Sequence, residues 1–169
     1  MVSILRSAIE IGEGDLETVR SVAGNAQTIF NPDKLRRQAG LCPRTPLLRR
    51  LECVLRARGF LTDGMRMGDA VALRSLPGCK RQAWHTDFDP DDVGTAQRKP
   101  LGVLLAVEGG TRLDVHPHTR HALDAGDVLL FEGDVVHAGS AYEDENVRVH
   151  VYVESDEVQR PPDTTYLVE

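Results

Sequence analysis

The period of the hydrophobic positions changes once along this chain, close to residue 70. Upstream of that point, apolar residues recur with the helical spacing of about 3.6. A first helix is predicted to begin at the N-cap Asp15, and a second to begin at Thr45 and Pro46 and to end near Gly59. We therefore expect residues 1–65 to form a helical support region. The apolar positions of the two helices are Leu16, Val19, Val22, Ala23, Ala26 and Ile29, then Leu47, Leu48, Leu51, Val54 and Leu55.

Downstream of residue 70 the chain consists of short strand-like runs separated by Gly, Pro and Asp turns. Residues 146–154 alternate strictly, so their valines and their larger polar side chains fall on opposite faces of one strand. Many short strands of this kind are typical of a sandwich or jelly roll. The predicted fold is mainly β with N-terminal helices (α+β), in one domain over residues 1–169. Its jelly-roll core is predicted at 70–154 and a polar tail at 155–169, in which residues 166–168 can pair as an edge strand.

Composition and charge narrow the function classes. Of the 169 residues, 41% are hydrophobic and 27% are charged, as in ordinary globular proteins. The net charge of −6 disfavours general nucleic-acid binding, which needs a basic surface. The basic residues between Lys34 and Arg58 are interpreted as a solvated helix face, and they keep nucleic acid open as a less favoured partner. Because neither a signal peptide nor a membrane-spanning run is recognised, we expect a cytoplasmic protein without a membrane partner.

A histidine and a carboxylate two positions apart, His85 and Asp87, are the first candidates for chemistry. Alone, such a pair is weak evidence, because chance produces it often. His137 strengthens it, because it follows a predicted strand and a tight turn much later in the chain. In a jelly roll the chain returns to the same mouth after such an interval. Two imidazoles and one carboxylate on one face of a metal, with the other positions open, are typical of non-haem Fe(II) oxygenases.

Arg148 is a candidate for anion binding. It lies on the polar face of the alternating strand, together with His150 and Tyr152. An inward guanidinium in an otherwise apolar strand needs an anion, and its planar fork suits a carboxylate. Tyr152 can offer its hydroxyl to the same carboxylate. The alternative is an internal ion pair between Arg148 and an acidic residue of the sheet.

The order of these residues resembles that of the Fe(II)- and 2-oxoglutarate-dependent oxygenases. The segments "LPGCKRQAWHTDF" and "GDVLLFEGDVVHAGSAY" carry the likeness, which spans residues 70–154, about half of the chain. The resemblance implies a double-stranded β-helix, a form of jelly roll. It also implies that His85, Asp87 and His137 bind Fe(II) as the catalytic centre, and that Arg148 pairs with the distal carboxylate of 2-oxoglutarate.

The same resemblance implies a reaction and a further co-substrate contact. O2 and 2-oxoglutarate are consumed, succinate and CO2 are formed, and a small-molecule or side-chain substrate is hydroxylated or oxidatively demethylated. In this family a residue on the strand before the His-x-Asp pair also touches the co-substrate, and Ser75 or Arg74 can fill that place. The chain is short for the family, which leaves little room for a dedicated substrate domain.

Each residue near the candidate ligands His85 and Asp87 has two interpretations. Gln82, Trp84 and Phe88 are predicted to line a substrate pocket, with ordinary core or strand-end roles as the alternative. His150 is either a core histidine or a residue that supports the co-substrate or a ligand.

A rival function begins from a different histidine cluster. "HPHTRH", residues 116–121, contains the His-x-His that opens the cupin metal motif, although it reads more simply as the exposed loop of a hairpin. A catalytically silent jelly roll, or a cupin-like module that only binds a metal, is therefore the alternative to an oxygenase.

Overall fold

The computed structural model describes residues 1–24, 27–28, 34–162 and 164–168. Twelve strands and three helices are present in that part of the chain. In chain order they are β1 (Val2–Leu5), α1 (Glu13–Gly24), β2 (Gln27–Thr28), β3 (Arg36–Gly40), α2 (Pro46–Ala57), β4 (Met65–Ser75), β5 (His85–Thr86), α3 (Pro90–Thr95), β6 (Leu101–Ala106), β7 (Thr111–Val115), β8 (Thr119–Leu123), β9 (Val128–Glu132), β10 (His137–Gly139), β11 (Asn146–Ser155) and β12 (Tyr166–Leu167).

The strands form two antiparallel sheets. The major sheet has the order β1-β9-β6-β11-β4-β3-β2, and the minor sheet has the order β12-β5-β10-β7-β8. From β4 to β11 the chain passes repeatedly from one sheet to the other, which is how a jelly roll is wound. The predicted mainly β architecture is thereby confirmed.

Two hydrophobic layers hold the sheets and helices together. On β6, Val103 and Leu105 pack with the helices on the outer face of the major sheet. Leu104 and Ala106, which alternate with them, pack with side chains of the minor sheet. β6 therefore reads as a continuous apolar run because both of its faces are covered.

The first third of the chain is only partly helical, which corrects the predicted support region. α2 begins at Pro46 after Thr45, as predicted, and the positive φ of Gly59 (75°) follows its end. α1 ends at Gly24, and the predicted helix positions 26 and 29 lie outside the described residues. The strands β1, β2 and β3 extend the major sheet where a helical region was expected. Local periodicity did not reveal them because their pairing partners, β9 and β4, lie far along the chain.

Two smaller corrections concern segments predicted as turns or loops. β8 occupies Thr119–Leu123, where mostly polar residues concealed a strand, and α3 occupies part of the predicted polar loop. The expected edge strand is confirmed, because Tyr166 pairs with Thr86 and Leu167 with His85. Among the described residues, the helices are too short or too polar to span a membrane.

Candidate metal centre

Two neighbouring strands of the minor sheet bring the three predicted ligands together. His137, the first residue of β10, lies opposite His85 on β5 in the antiparallel register, and Asp87 follows β5 directly. The ligand atoms of these three side chains all lie within 4.8 Å of one another, and all three residues are buried. Strand pairing thus joins residues that are far apart in sequence.

Hydrogen bonds orient both imidazoles for metal binding. Nδ1 of His85 lies 2.9 Å from the carbonyl oxygen of Ala83, and Nδ1 of His137 lies 2.9 Å from that of Val135. Since a carbonyl can only accept, each Nδ1 carries the proton and donates it. Each Nε2 then keeps its lone pair for a metal, which is the usual arrangement of metal-binding histidines.

The charge state of the site also suits a cation. Burial lowers the pKa of His137 to about 4, because the apolar surroundings disfavour the imidazolium, although Asp87 opposes the effect. Burial would raise the pKa of Asp87, but its interactions with His150, and then with His137 and His85, outweigh this effect and hold the pKa well below its usual range. At neutral pH the site therefore offers a neutral His137 and an ionised carboxylate.

A glycine on the major sheet makes room for Asp87. A methyl group on Gly102 of β6 would lie 2.7 Å from Oδ2 of Asp87 and 2.3 Å from the ring of Phe131. Only a residue without a side chain allows the carboxylate to reach this depth between the sheets. Sequence periodicity missed Gly102, because it lies inside an ordinary apolar run.

Arg148 extends into the interior from β11 and is 2% exposed. Its Nη1 donates to Oγ of Ser75 at 3.1 Å, and its guanidinium lies over the Tyr142 ring, 5.0 Å from the centroid. Within the described part of the chain, no carboxylate forms an ion pair with it, so the internal ion pair considered above is not found there. A buried guanidinium without a carboxylate is costly, which favours an anion that binds from solution.

Sequence reasoning missed Arg36, a second buried arginine beside Arg148. Its Nη1 donates to Oγ of Ser75 at 3.0 Å, and its Nη2 donates to the carbonyl oxygens of Lys80, Gly139 and Ser140 at 3.1, 3.3 and 2.8 Å. The prediction that this basic segment forms a solvated helix face is wrong for Arg36, which is 0% exposed and begins strand β3. Nothing in the local pattern "KLRRQAG" distinguishes it from its solvated neighbours.

The other residues that were predicted to contact the co-substrate lie in different places. Ser75 touches Arg148 as described, whereas Arg74 pairs at the surface with Glu145 at 2.8 Å. Tyr152 lies towards the opposite end of β11, four residues from Arg148. Its ring packs against Phe88, 6.4 Å between centroids, and beneath the guanidinium of Arg160 at 4.0 Å.

The predicted pocket residues occupy three different environments. Phe88 is buried in a small apolar cluster with Val93, Tyr152 and Val158. The side chain of Gln82 accepts a hydrogen bond from the backbone N–H of Gly139 at 3.0 Å, which ties it to β10. Trp84 lies under the guanidinium of Arg81 and lines a polar cavity with Asp114, Pro117, His118, Thr119 and Arg120, none of which is a metal-ligand candidate.

The "HPHTRH" histidines do not form a second metal site in the part of the chain that the structure describes. Residues 116–118 form the turn between β7 and β8, where Val115 pairs with Thr119. The cluster of His85, Asp87 and His137 is the only group of candidate ligands found among the described residues. The predicted hairpin turn is found at residues 116–118, whereas His121 lies on strand β8 and not in the expected loop.

Solved structures share this fold, although no protein-family model and no curated protein matches the sequence. HygX from Streptomyces hygroscopicus, with nickel and 2-oxoglutarate bound, is 14% identical, with a TM-score of 0.64, over 91% of this chain and 82% of that one. The epimerase SnoN, in complex with Fe3+, alpha-ketoglutarate and nogalamycin RO, is 13% identical, with a TM-score of 0.69, over 95% and 81%. The viral collagen prolyl hydroxylase from Paramecium Bursaria Chlorella virus-1 is 16% identical, with a TM-score of 0.63, over 91% and 95%. These likenesses confirm the predicted jelly-roll fold, which is that of the 2-oxoglutarate oxygenases.

Proposed function

We propose that this chain, which has the jelly-roll fold of the Fe(II)- and 2-oxoglutarate-dependent oxygenases, is itself such an oxygenase. One observation carries the proposal: a cluster of two imidazoles and a carboxylate lies between two sheets, and the facing sheet presents a buried arginine that pairs with no carboxylate of the described residues. A structural metal site would explain the cluster but would leave Arg148 unexplained. The two features together suit an iron ion and an acidic co-substrate.

The residues present fit Fe(II). The donor set has two imidazoles with free Nε2 atoms and one carboxylate, whose Oδ1 lies 3.6 Å from Nε2 of His137. His85, Asp87 and His137 would hold the ion. Bound there, the iron would supply the redox chemistry by which O2 oxidises a substrate C–H bond while 2-oxoglutarate is converted to succinate and CO2.

The protein contributes orientation and exclusion of water. Arg148 would bind the distal carboxylate of 2-oxoglutarate through its fork, while the Ser75 hydroxyl accepts from Nη1 and fixes the guanidinium. The ring of Phe131, 4.5 Å from that of His137, covers one side of the ligand cluster. A dry pocket strengthens both the charge pairing at Arg148 and the metal–carboxylate interaction.

The proposed substrate is a small molecule or an amino-acid side chain, which the oxygenase hydroxylates or oxidatively demethylates. Two structural neighbours support both substrate classes: HygX has been crystallised with hygromycin B, and another neighbour is a collagen prolyl hydroxylase. SnoN is an epimerase, so proteins of this fold are not limited to hydroxylation.

An anaerobic titration tests the proposal. Purified protein receives Fe(II) and then 2-oxoglutarate, and we expect a weak metal-to-ligand charge-transfer band in the visible. His85→Ala should abolish the band by removing a ligand, and Arg148→Leu should move its appearance to much higher 2-oxoglutarate concentrations. A protein that binds Fe(II) with no band at any 2-oxoglutarate concentration would instead be the silent or cupin-like module.

Substrate class is tested separately by succinate release. Aminoglycosides, polyketide glycosides and proline-containing peptides form the panel, with uncoupled turnover as the baseline. We expect one class to raise succinate release above the baseline in wild-type protein and none to do so in Asp87→Ala.

A further inference from the structure

A third imidazole lies beside the ligand cluster and has no assigned role. His150 is 8% exposed, and its Nε2 lies 3.1 Å from Oδ2 of Asp87. The two atoms are not aligned as a hydrogen bond, and neither has another hydrogen-bond partner among the described residues. Leaving two buried polar atoms unsatisfied is unfavourable, so each is the natural partner of the other.

The surroundings of His150 restrict its movement. Its ring lies 4.6 Å from that of Tyr152 and 6.1 Å from that of Phe131, centroid to centroid. The backbone of His150 is also paired on both sides, with Val71 of β4 and Leu104 of β6. A ring held in this way presents Nε2 to Asp87 from a fixed position.

His150 is poorly placed to be a fourth ligand. Within the described residues, the set of ligand atoms that all lie within 4.8 Å of one another contains His85, Asp87 and His137, and His150 is not in it. Within the cluster, Nε2 of His150 approaches one oxygen of the Asp87 carboxylate, Oδ2. That geometry suits a group that acts on the metal through Asp87.

We propose that His150 is a positioning residue, which donates from Nε2 to Oδ2 of Asp87 and so leaves the other carboxylate oxygen, Oδ1, to the metal. This inference rests on the proposed function, because it requires a metal at the cluster. Oδ1 lies 3.6 Å from Nε2 of His137, on the side of the other ligands. A carboxylate anchored through one oxygen binds with the other alone, and the remaining metal positions stay open for 2-oxoglutarate and O2. Groups that orient metal ligands in this way typically change metal affinity by 10–100-fold.

The test measures metal binding without 2-oxoglutarate or turnover. Binding of Mn(II) is followed by its electron paramagnetic resonance signal, and binding of Co(II) by its visible spectrum. We compare wild type with His150→Leu, which lacks a donor, and His150→Gln, whose amide nitrogen can reach the position of Nε2. His121→Leu makes the same change at a histidine of β8 outside the cluster and is the matched control.

We expect His150→Leu to weaken Mn(II) binding about 10–100-fold and to alter the Co(II) spectrum, because Asp87 is then free to change its binding mode. His150→Gln should bind within about threefold of wild type, and so should His121→Leu. If His150→Leu is too unstable to purify, His150→Asn replaces it, since its shorter amide cannot reach Asp87 and the variant keeps a polar side chain.

The possible failures are distinguishable. Equal affinities and equal Co(II) spectra for wild type and the Leu or Asn variant would overturn the role of His150 alone. An affinity in His150→Gln as low as that in His150→Leu would also overturn it, because packing rather than donation would then be responsible. Absence of metal binding by wild type would overturn the proposed function as well.

Discussion

The two faces of β11 are both buried, but they serve different purposes. Val147, Val149, Val151 and Val153 face the helices and belong to the large apolar core. Arg148, His150 and Tyr152 face the minor sheet, where the metal-ligand candidates lie. Burial therefore does not distinguish the faces, whereas chemistry does: one face is apolar throughout, and the other carries the polar groups that lie beside the candidate metal ligands.

This difference predicts that stability and ligand binding can be separated within one strand. Substitutions on the valine face should change the free energy of unfolding and leave ligand affinities alone. Substitutions on the polar face should do the reverse.

Arg148→Leu should produce the largest effect. Removing a buried guanidinium from a carboxylate ligand typically costs about 2–5 kcal/mol, so the affinity for 2-oxoglutarate should fall by roughly 30-fold to more than 1,000-fold. The affinity of Arg148→Lys for 2-oxoglutarate should lie between those of wild type and Arg148→Leu, because an ammonium cannot pair with both carboxylate oxygens. Calorimetric titration of the metal-loaded protein measures the affinity. Denaturant unfolding should show little loss of stability, since Leu removes an unpaired buried charge.

Acid should destabilise the metal-free protein through the candidate metal ligands that lie opposite the polar face of β11. Unfolded His137 binds a proton near its ordinary pKa of 6.5, whereas folded His137 binds one only near 4. The unfolded state therefore holds more protons between these values, and the free energy of unfolding falls as pH falls, by on the order of 3 kcal/mol. The depressed pKa of Asp87 adds a further loss below its usual 3.8. Urea unfolding from pH 7 to pH 4 measures the slope. An equally steep slope in His137→Gln would contradict the assignment to His137.

Val149→Ala tests the opposite face next to Arg148. Val149 is fully buried in the core, and removing its two methyl groups should lower the free energy of unfolding by about 2 kcal/mol. The dissociation constants for metal and 2-oxoglutarate should stay within about twofold of wild type. A loss of 2-oxoglutarate affinity as large as that of Arg148→Leu would show that the two faces are not independent.

Arg74→Ala should have the smallest effect. It tests on β4 whether a partly exposed residue and its buried neighbour differ in their effect on ligand binding. Arg74 pairs with Glu145 in a partly exposed ion pair, whereas its neighbour Ser75 is buried against Arg148. Such exposed pairs stabilise by about 0–1 kcal/mol. We expect unchanged 2-oxoglutarate affinity in Arg74→Ala, while Ser75→Ala should weaken it measurably. Similar losses in both variants would contradict the proposed role of Ser75 in fixing the Arg148 guanidinium.

Much of the β region was predictable because its signals are local. Alternation along residues 146–154 indicated both faces of β11, and the short apolar runs marked β6, β7 and β9. The first third was less predictable, because β1 and β3 are strands through pairing with β9 and β4 rather than through their own patterns.

The candidate site divides in the same way. His85 and Asp87 are two positions apart and recognisable together, and the strand and turn before His137 indicated its place. Arg36 and Gly102 had no local signal. Their roles depend on which strands lie beside them, one through Ser75 on β4 and the other through Asp87 from the facing sheet.

The alternation of β11, the jelly-roll class and the candidate residues for iron and anion binding were all indicated by the amino-acid sequence, because side-chain chemistry and short-range periodicity are properties of the chain alone. Only the tertiary structure decided that His85 faces His137, that Arg148 shares Ser75 with a second buried arginine, and that His150 reaches Asp87. Those distances arise from the pairing and stacking of strands remote in sequence, which no local pattern specifies.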